Sequence, residues 1–172
     1  MNNNFENMNV AILDSNLLLL FILGLNNNES KINHPRTSKY NIKHFNELKN
    51  LFNNYDYLIT LPQILLETFH LLKHPQKNNK TPQKNYLYRY IEFINKGAII
   101  EENVESINII KNNLIFTLGY TDTAIFLLAN FLLKKHKYNN LVVVSDDENL
   151  VNLLKKYNIH TLSFDIKNAK LY

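Results

Sequence analysis

The chain contains no cysteine. That excludes a disulfide framework and thiolate zinc sites, and it fits a reducing compartment. Glycine is scarce, with only Gly24, Gly97 and Gly119 in 172 residues. Neither a phosphate-cradling P-loop nor a dinucleotide fingerprint can be assembled from glycines so dispersed. Long hydrophobic runs are missing as well. The longest, Leu17 to Leu25, is too short to cross a bilayer and lacks the basic flank and small-residue cleavage site of a secretory signal. The expectation is a cytoplasmic protein with no membrane association.

What is present is an ordinary globular balance, 45% hydrophobic and 20% charged, in a chain long enough to bury one continuous core. No internal repeat and no long linker divides it. An Asn-rich, flexible tail is expected over residues 1–8, followed by a single domain over 9–172. The net charge of +4 is modest. If Asp14, Glu67, Asp122, Asp146 and Asp147 line one pocket, 19 basic side chains face 10 remaining acids elsewhere. Such a surface would attract a polyanion while the pocket attracts a cation. Charge alone is better accounted for by a compositional bias toward Lys, Asn and Ile.

The organising stretch is Val10-Ala11-Ile12-Leu13-Asp14-Ser15-Asn16. A short apolar run ending in cap-forming polar residues predicts a buried strand, about Asn9 to Leu13, running into a helix through about Leu25. A polar loop from Asn26 to Asn41 carries His34, Arg36 and Lys39. Phe45, Leu48, Leu51 and Phe52 repeat at helical spacing and predict a helix over Ile42 to Asn53. A strand at Tyr57 to Leu61 leads through Pro62 into a helix to about Lys73 that holds Glu67. A basic linker, Lys73 to Gln83, precedes a helix near Lys84 to Asn95 with Tyr86, Tyr90 and Phe93 on one face. A short strand at Ala98 to Glu101 and a helix near Val104 to Asn112 follow. The second half continues with a long helix, Thr121 to Lys135, and a strand, Leu141 to Val144. Ser145 and Glu148 are expected to form a capping box opening a helix to Tyr157. Ile159 to Phe164 makes the last strand. Strands alternating with helices predict an α/β fold, a three-layer α/β/α sandwich around a mostly parallel sheet.

Each carboxylate taken alone has a plain structural role. Asp14 fits a helix N-cap, Asp122 suits the first turn of a helix, and Asp146 or Asp147 can cap the helix after the Leu141 to Val144 strand. Glu67 is harder to place. It shares a stripe with Ile64 and Leu71, where a carboxylate needs a partner or a metal unless the helix turns it to solvent. Capping does not explain the set. Parallel topology gathers strand-to-helix junctions along one sheet edge, where ligands of open α/β sheets bind. Carboxylates crowded together raise one another's pKa, and a hard divalent cation such as Mg²⁺ or Mn²⁺ relieves that repulsion.

Four segments taken in order resemble the acidic motifs of PIN-domain nucleases. They are Leu13-Asp14-Ser15-Asn16, the helix-borne Glu67 in Leu61-Pro62-Gln63-Ile64-Leu65-Leu66-Glu67, Thr121-Asp122-Thr123-Ala124, and Val144-Ser145-Asp146-Asp147-Glu148-Asn149-Leu150. His34-Pro35-Arg36-Thr37 is similar to the family as well, and the likeness spans nearly the whole chain from Met8. The resemblance implies a PIN-like fold and a Mg²⁺- or Mn²⁺-dependent ribonuclease, in many small relatives the toxin of a toxin–antitoxin pair and a homodimer. It implies Asp14, Glu67, Asp122 and Asp146 or Asp147 as catalytic and metal-binding residues. Ser15, Asn16, Thr121 and Ser145 would support them from behind. The chain departs from the family in Ser145, where threonine is commoner, in its paired Asp146 and Asp147, and in Asn149, where many members carry aspartate.

Outside these motifs, Lys31, Arg36, Lys39, Lys43, Lys73, Lys77, Lys80 and Lys84 could track a phosphate backbone, with Tyr40 or Tyr86 available for stacking. Arg36 is the best single candidate, because a guanidinium grips phosphate bidentately, and Lys39 is grouped with it as RNA-binding. His70 and His74 stand one turn apart, but no third nitrogen or sulfur ligand accompanies them. An aspartyl-nucleophile phosphatase would want a second Asp where Asn16 stands. Two readings remain: a metal-dependent endoribonuclease acting on RNA, with an antitoxin as its candidate partner, and a catalytically silent PIN-like RNA-binding or scaffold module.

Overall fold

In the computed structural model, the residues described are 8–26, 35–72, 88, 91, 99–135, 138–165 and 170–171. Five parallel strands form the sheet: β1 (Asn9–Leu13), β2 (Tyr57–Thr60), β3 (Ile99–Glu101), β4 (Asn140–Ser145) and β5 (Thr161–Asp165). A two-residue strand, β6 (Lys170–Leu171), pairs antiparallel with β5 at one edge. The order across the sheet is β3-β2-β1-β4-β5-β6. Helices flank the sheet, making an α/β fold of three-layer α/β/α type.

The two central strands explain themselves chemically. Val10, Ala11, Ile12, Val142, Val143 and Val144 are fully buried. Strands covered on both faces read as continuous apolar runs rather than alternating ones. Helix α1 (Ser15–Asn26) is apolar all round, and Leu17 through Leu23 are buried without interruption, as expected of a helix enclosed on every side. Helix α2 (Ile42–Asn53) opens on Asn41, whose side chain accepts from the Lys43 and His44 N–H groups while His44 Nδ1 accepts from the Asn41 N–H. It packs on α1 where Gly24 meets the Phe45 ring; a Cβ on Gly24 would lie 2.1 Å from that ring.

Helix α3 (Pro62–Leu72) follows β2, and two short helices, α4 (Ser106–Ile110) and α5 (Ile115–Leu118), follow β3. The long helix α6 (Tyr120–Lys134) leads back to β4, and α7 (Glu148–Lys156) connects β4 to β5. Gly119, with φ of 85°, makes the turn into α6, a backbone conformation that an L side chain resists.

Several boundaries differ from the sequence reading. The strand at Ile159 to Phe164 begins at Thr161 instead, and neither α5 nor β6 was anticipated. The capping box of Ser145 and Glu148 does not form. Ser145 is the last residue of β4, and Asp147 caps α7 by accepting from the Asn149 and Leu150 N–H groups. A strand one residue longer than its apolar run displaces the cap by two positions. The tail before Met8, the basic linker after Leu72, most of the Lys84 to Asn95 helix, His34 and His74 lie outside the described residues. Among those described, no helix is long and apolar enough to cross a membrane.

The topology positions the site. From β1 the chain moves outward to β2 and β3; from β4 it moves the opposite way to β5. Right-handed crossovers then send the connections leaving β1 and β4 to opposite faces, which opens a crevice beyond their carboxyl ends. Helices between parallel strands run against them, so the N-termini of α1, α3, α6 and α7 all lie along that edge.

Candidate functional site

Asp14 is the first residue past β1, its N–H still donating to Val144 O at 3.2 Å as the ladder with β4 ends. Its carboxylate is buried, and the two oxygens are used differently. Oδ1 accepts the Leu17 N–H at 2.9 Å and so caps α1. Oδ2 accepts the Ser145 hydroxyl at 2.5 Å and the Asp146 N–H at 3.2 Å. Burial, and then the charge of Asp146, push the Asp14 pKa from 3.8 up to about 7 against the opposing effect of these hydrogen bonds. The expected cap and a site carboxylate are the same side chain.

Ser15 ties the next carboxylate in. Its hydroxyl donates to Glu67 Oε2 at 3.0 Å, and its carbonyl accepts from Thr68 Oγ1 at 3.4 Å, fixing α3 to the start of α1. Glu67 itself is exposed, which corrects the expectation that it faces the core. Ile64, Thr68 and Leu71 are the buried face of α3, and Glu67 lies at the margin of that face, toward the crevice.

Asp122, half-buried in the first turn of α6, is pushed from 3.8 up to about 7 by burial first, then by the charges of Asp147, Glu67 and Asp146. Its neighbour Thr123 is the buried threonine, donating to Gly119 O at 2.6 Å, whereas Thr121 and Asn16 are half-buried. Asp147 is exposed and occupied in capping α7. Asp146 differs from it sharply: its carboxylate is only 3% exposed. Asp146 Oδ2 accepts the Tyr40 hydroxyl at 2.5 Å and forms an ion pair with the Lys39 ammonium.

The five acids that the sequence singled out therefore share one neighbourhood, joined by the Ser15–Glu67 and Ser145–Asp14 hydrogen bonds and by the mutual charge effects on Asp14 and Asp122. Asp56, by contrast, serves the opposite end of β1, where it accepts the Asn9 N–H at 2.8 Å. Arg36 is exposed in a single 3-10 turn, Pro35–Thr37, and His70 is exposed on α3.

Tyr40 is the residue whose place the sequence did not reveal. Its ring is buried at 5% exposure against His44, so it offers no stacking platform. Its hydroxyl instead reaches a carboxylate 106 residues away, a pairing that no local pattern encodes. Lys39 likewise points into the acidic cluster rather than out along a nucleic-acid track.

The donor chemistry of this cluster, carboxylates without thiolate or imidazole, suits a hard divalent cation. Burial first, and then the charges of neighbouring acids, raise both Asp14 and Asp122, and a bound cation would offset the cost of ionising them there. Among the described residues, no three His, Asp or Glu side chains are gathered closely enough to grip an ion as they stand. Asp14 and Asp147 spend oxygens on helix caps, and Asp146 spends one on Lys39 and Tyr40. Fold and site together define an α/β protein with an acidic crevice at the topological switch point. No protein-family model matches the chain, and none of the curated proteins compared with it matches in sequence.

Proposed function

We propose that this chain is a PIN-like endoribonuclease that hydrolyses RNA phosphodiester bonds with Mg²⁺ or Mn²⁺. The observation that carries this reading is the convergence of Asp14, Glu67, Asp122, Asp146 and Asp147 on the crevice between β1 and β4, with Asp14 and Asp122 each pushed up to about 7. Asp14, Glu67, Asp122 and Asp146 would hold the cation, with Asp147 beside them. A divalent ion there supplies Lewis-acid polarisation of the phosphodiester and a water-derived nucleophile at neutral pH. Ser145 orients Asp14, and Ser15 orients Glu67, through the hydrogen bonds described. Arg36, exposed in the 3-10 turn three residues before Lys39, would grip the substrate's phosphate.

Replacing Asp14 with Asn should abolish Mn²⁺-dependent cleavage of single-stranded RNA while leaving a folded protein. Undiminished cleavage by a contaminant-free D14N preparation would refute the assignment. A silent RNA-binding or scaffold module is the second reading, favoured by the absence of a ready three-carboxylate grip among the described residues. It predicts salt-sensitive RNA binding with no metal-stimulated cleavage.

A cytoplasmic toxin held by an antitoxin, or a homodimer, is part of the same proposal. Its support is an apolar surface: Ile107, Ile110, Phe116 and Phe131 are more than half exposed. Phe131 also lines a groove of about 550 Å³ together with Val104, Leu127 and polar residues such as Asn103, Glu105 and Asn108. Exposed apolar area of this kind marks interaction sites.

A further inference from the structure

Lys39 and Tyr40 approach one oxygen, Asp146 Oδ2, from a rigid frame. The 3-10 turn before them is closed by the Ser38 hydroxyl on Pro35 O and the Tyr40 N–H on Thr37 O, both at 2.9 Å. The helix cap after them fixes Asn41 and His44. Tyr40 is immobilised by burial, whereas the Lys39 side chain is 42% exposed, with its ammonium on Asp146 and 5.2 Å from the centre of the Tyr40 ring.

An exposed lysine on an exposed acid would be a surface pair of little consequence. Here the partner carboxylate is 3% exposed, so its charge has lost most of its water and must be balanced by something nearby. Asp146 is also the charged neighbour that raises Asp14, whose Oδ2 accepts the Asp146 N–H at 3.2 Å. A divalent cation held by this cluster would need the Asp146 carboxylate, and two cations cannot share one carboxylate oxygen without strong repulsion.

We infer that Lys39 is the resident counterion of the carboxylate cluster, seated on the Asp146 oxygen that a divalent cation would take, so that the Lys39–Asp146 pair and cation binding exclude one another. This rests on the reading of the cluster as a divalent-cation site. Tyr40, a neutral donor, stays on Asp146 in both states and acts as a positioning residue. Lys39 is the part that leaves, swinging toward solvent on its flexible stem.

The test is Mn²⁺ affinity at pH 8, measured by titration calorimetry on wild type, K39M and K39R, with the melting temperature of each read without and with Mn²⁺. Removing the competitor in K39M should tighten Mn²⁺ binding by about five- to a hundredfold, the usual range for coupled sites. K39R keeps the competing charge and should bind as wild type does. K39M should also melt lower than wild type without Mn²⁺ and gain more from its addition. Binding by K39M where wild type shows none would support the inference equally. If wild type and K39M bind alike, or K39M binds more weakly, Lys39 is no competitor and the cation site itself stands. If no variant binds Mn²⁺ at millimolar concentration, both this inference and the proposed function fall.

Discussion

At Asp14 and Asp122 the protein carries two carboxyl groups that resist ionising in the folded state, both with pKa values raised to about 7. An unfolded aspartate titrates near 3.9, so between those values the folded chain binds more protons than the unfolded one. The stability they contribute is therefore complete below about pH 4 and is lost as pH rises through about 7. Melting temperature should fall from pH 5 to pH 8, and D122N should flatten that fall. After allowance for the partial exposure of Asp122, the variant should melt roughly 3–8 °C higher at pH 8. Scanning fluorimetry across pH would show it, and an unchanged profile in D122N would mean that burial and neighbouring charge do not raise Asp122. Thr60 makes a second residue-scale case. Its hydroxyl is buried at the carboxyl end of β2 with no hydrogen-bond partner among the described residues. Thr60→Val removes an unsatisfied group at nearly constant volume and should stabilise the fold by about 1 kcal/mol in chemical denaturation. A loss of stability would show that the hydroxyl has a partner.

Elements were legible where a local signal was complete. Helix α2 and strand β1 match their expected bounds, because an Asn cap, a three-and-four repeat or an apolar run is encoded within a few neighbouring residues. Helix α7 shows the limit. Ser145 and Glu148 have the spacing of a capping box, yet β4 continues through Ser145 because its pairing with Ser163 on β5 is a long-range contact. The cap passes to Asp147, and Ser145 is freed to hold Asp14. At the α1–α2 contact, Gly24 is the residue that lets the Phe45 ring lie against the helix backbone. Gly24→Ala raises intrinsic helix propensity, but it forces a methyl group into a buried ring. The clash should win, with a net loss of about 1–3 kcal/mol measured by urea unfolding. A more stable variant would show that Phe45 can move aside.

For the whole molecule, the strand order places the carboxyl ends of β1 and β4 side by side. The helix N-termini along that edge favour negative charge, so the fold assembles acids there at a reduced electrostatic cost. A cation that binds only the folded state stabilises it by mass action. Mn²⁺ at a hundredfold over its Kd should add about 2.7 kcal/mol, or roughly 5–11 °C in melting temperature. The gain should grow with pH up to about 8, because ligand carboxylates must be deprotonated to bind. D14N should lose most of it. A metal-induced shift that is the same in D14N as in wild type would separate cation binding from this crevice.

By itself the sequence determined the element types, the apolar strands of the sheet and the identity of the acids, since these depend on periodicity, caps and residue chemistry within short windows. It also determined that Asp14, Asp146 and Asp147 follow strands while Glu67 and Asp122 lie on helices, positions that the parallel topology leads to one edge. Only the tertiary structure decided how each acid is used. Burial splits Asp146 from its neighbour Asp147, the turn of α3 brings Glu67 out to the crevice, and Lys39 with Tyr40 closes on Asp146 across more than a hundred residues. Orientation, solvent exclusion and long-range charge contact are properties of packed neighbours, and neighbours in space are what a linear order of residues does not contain.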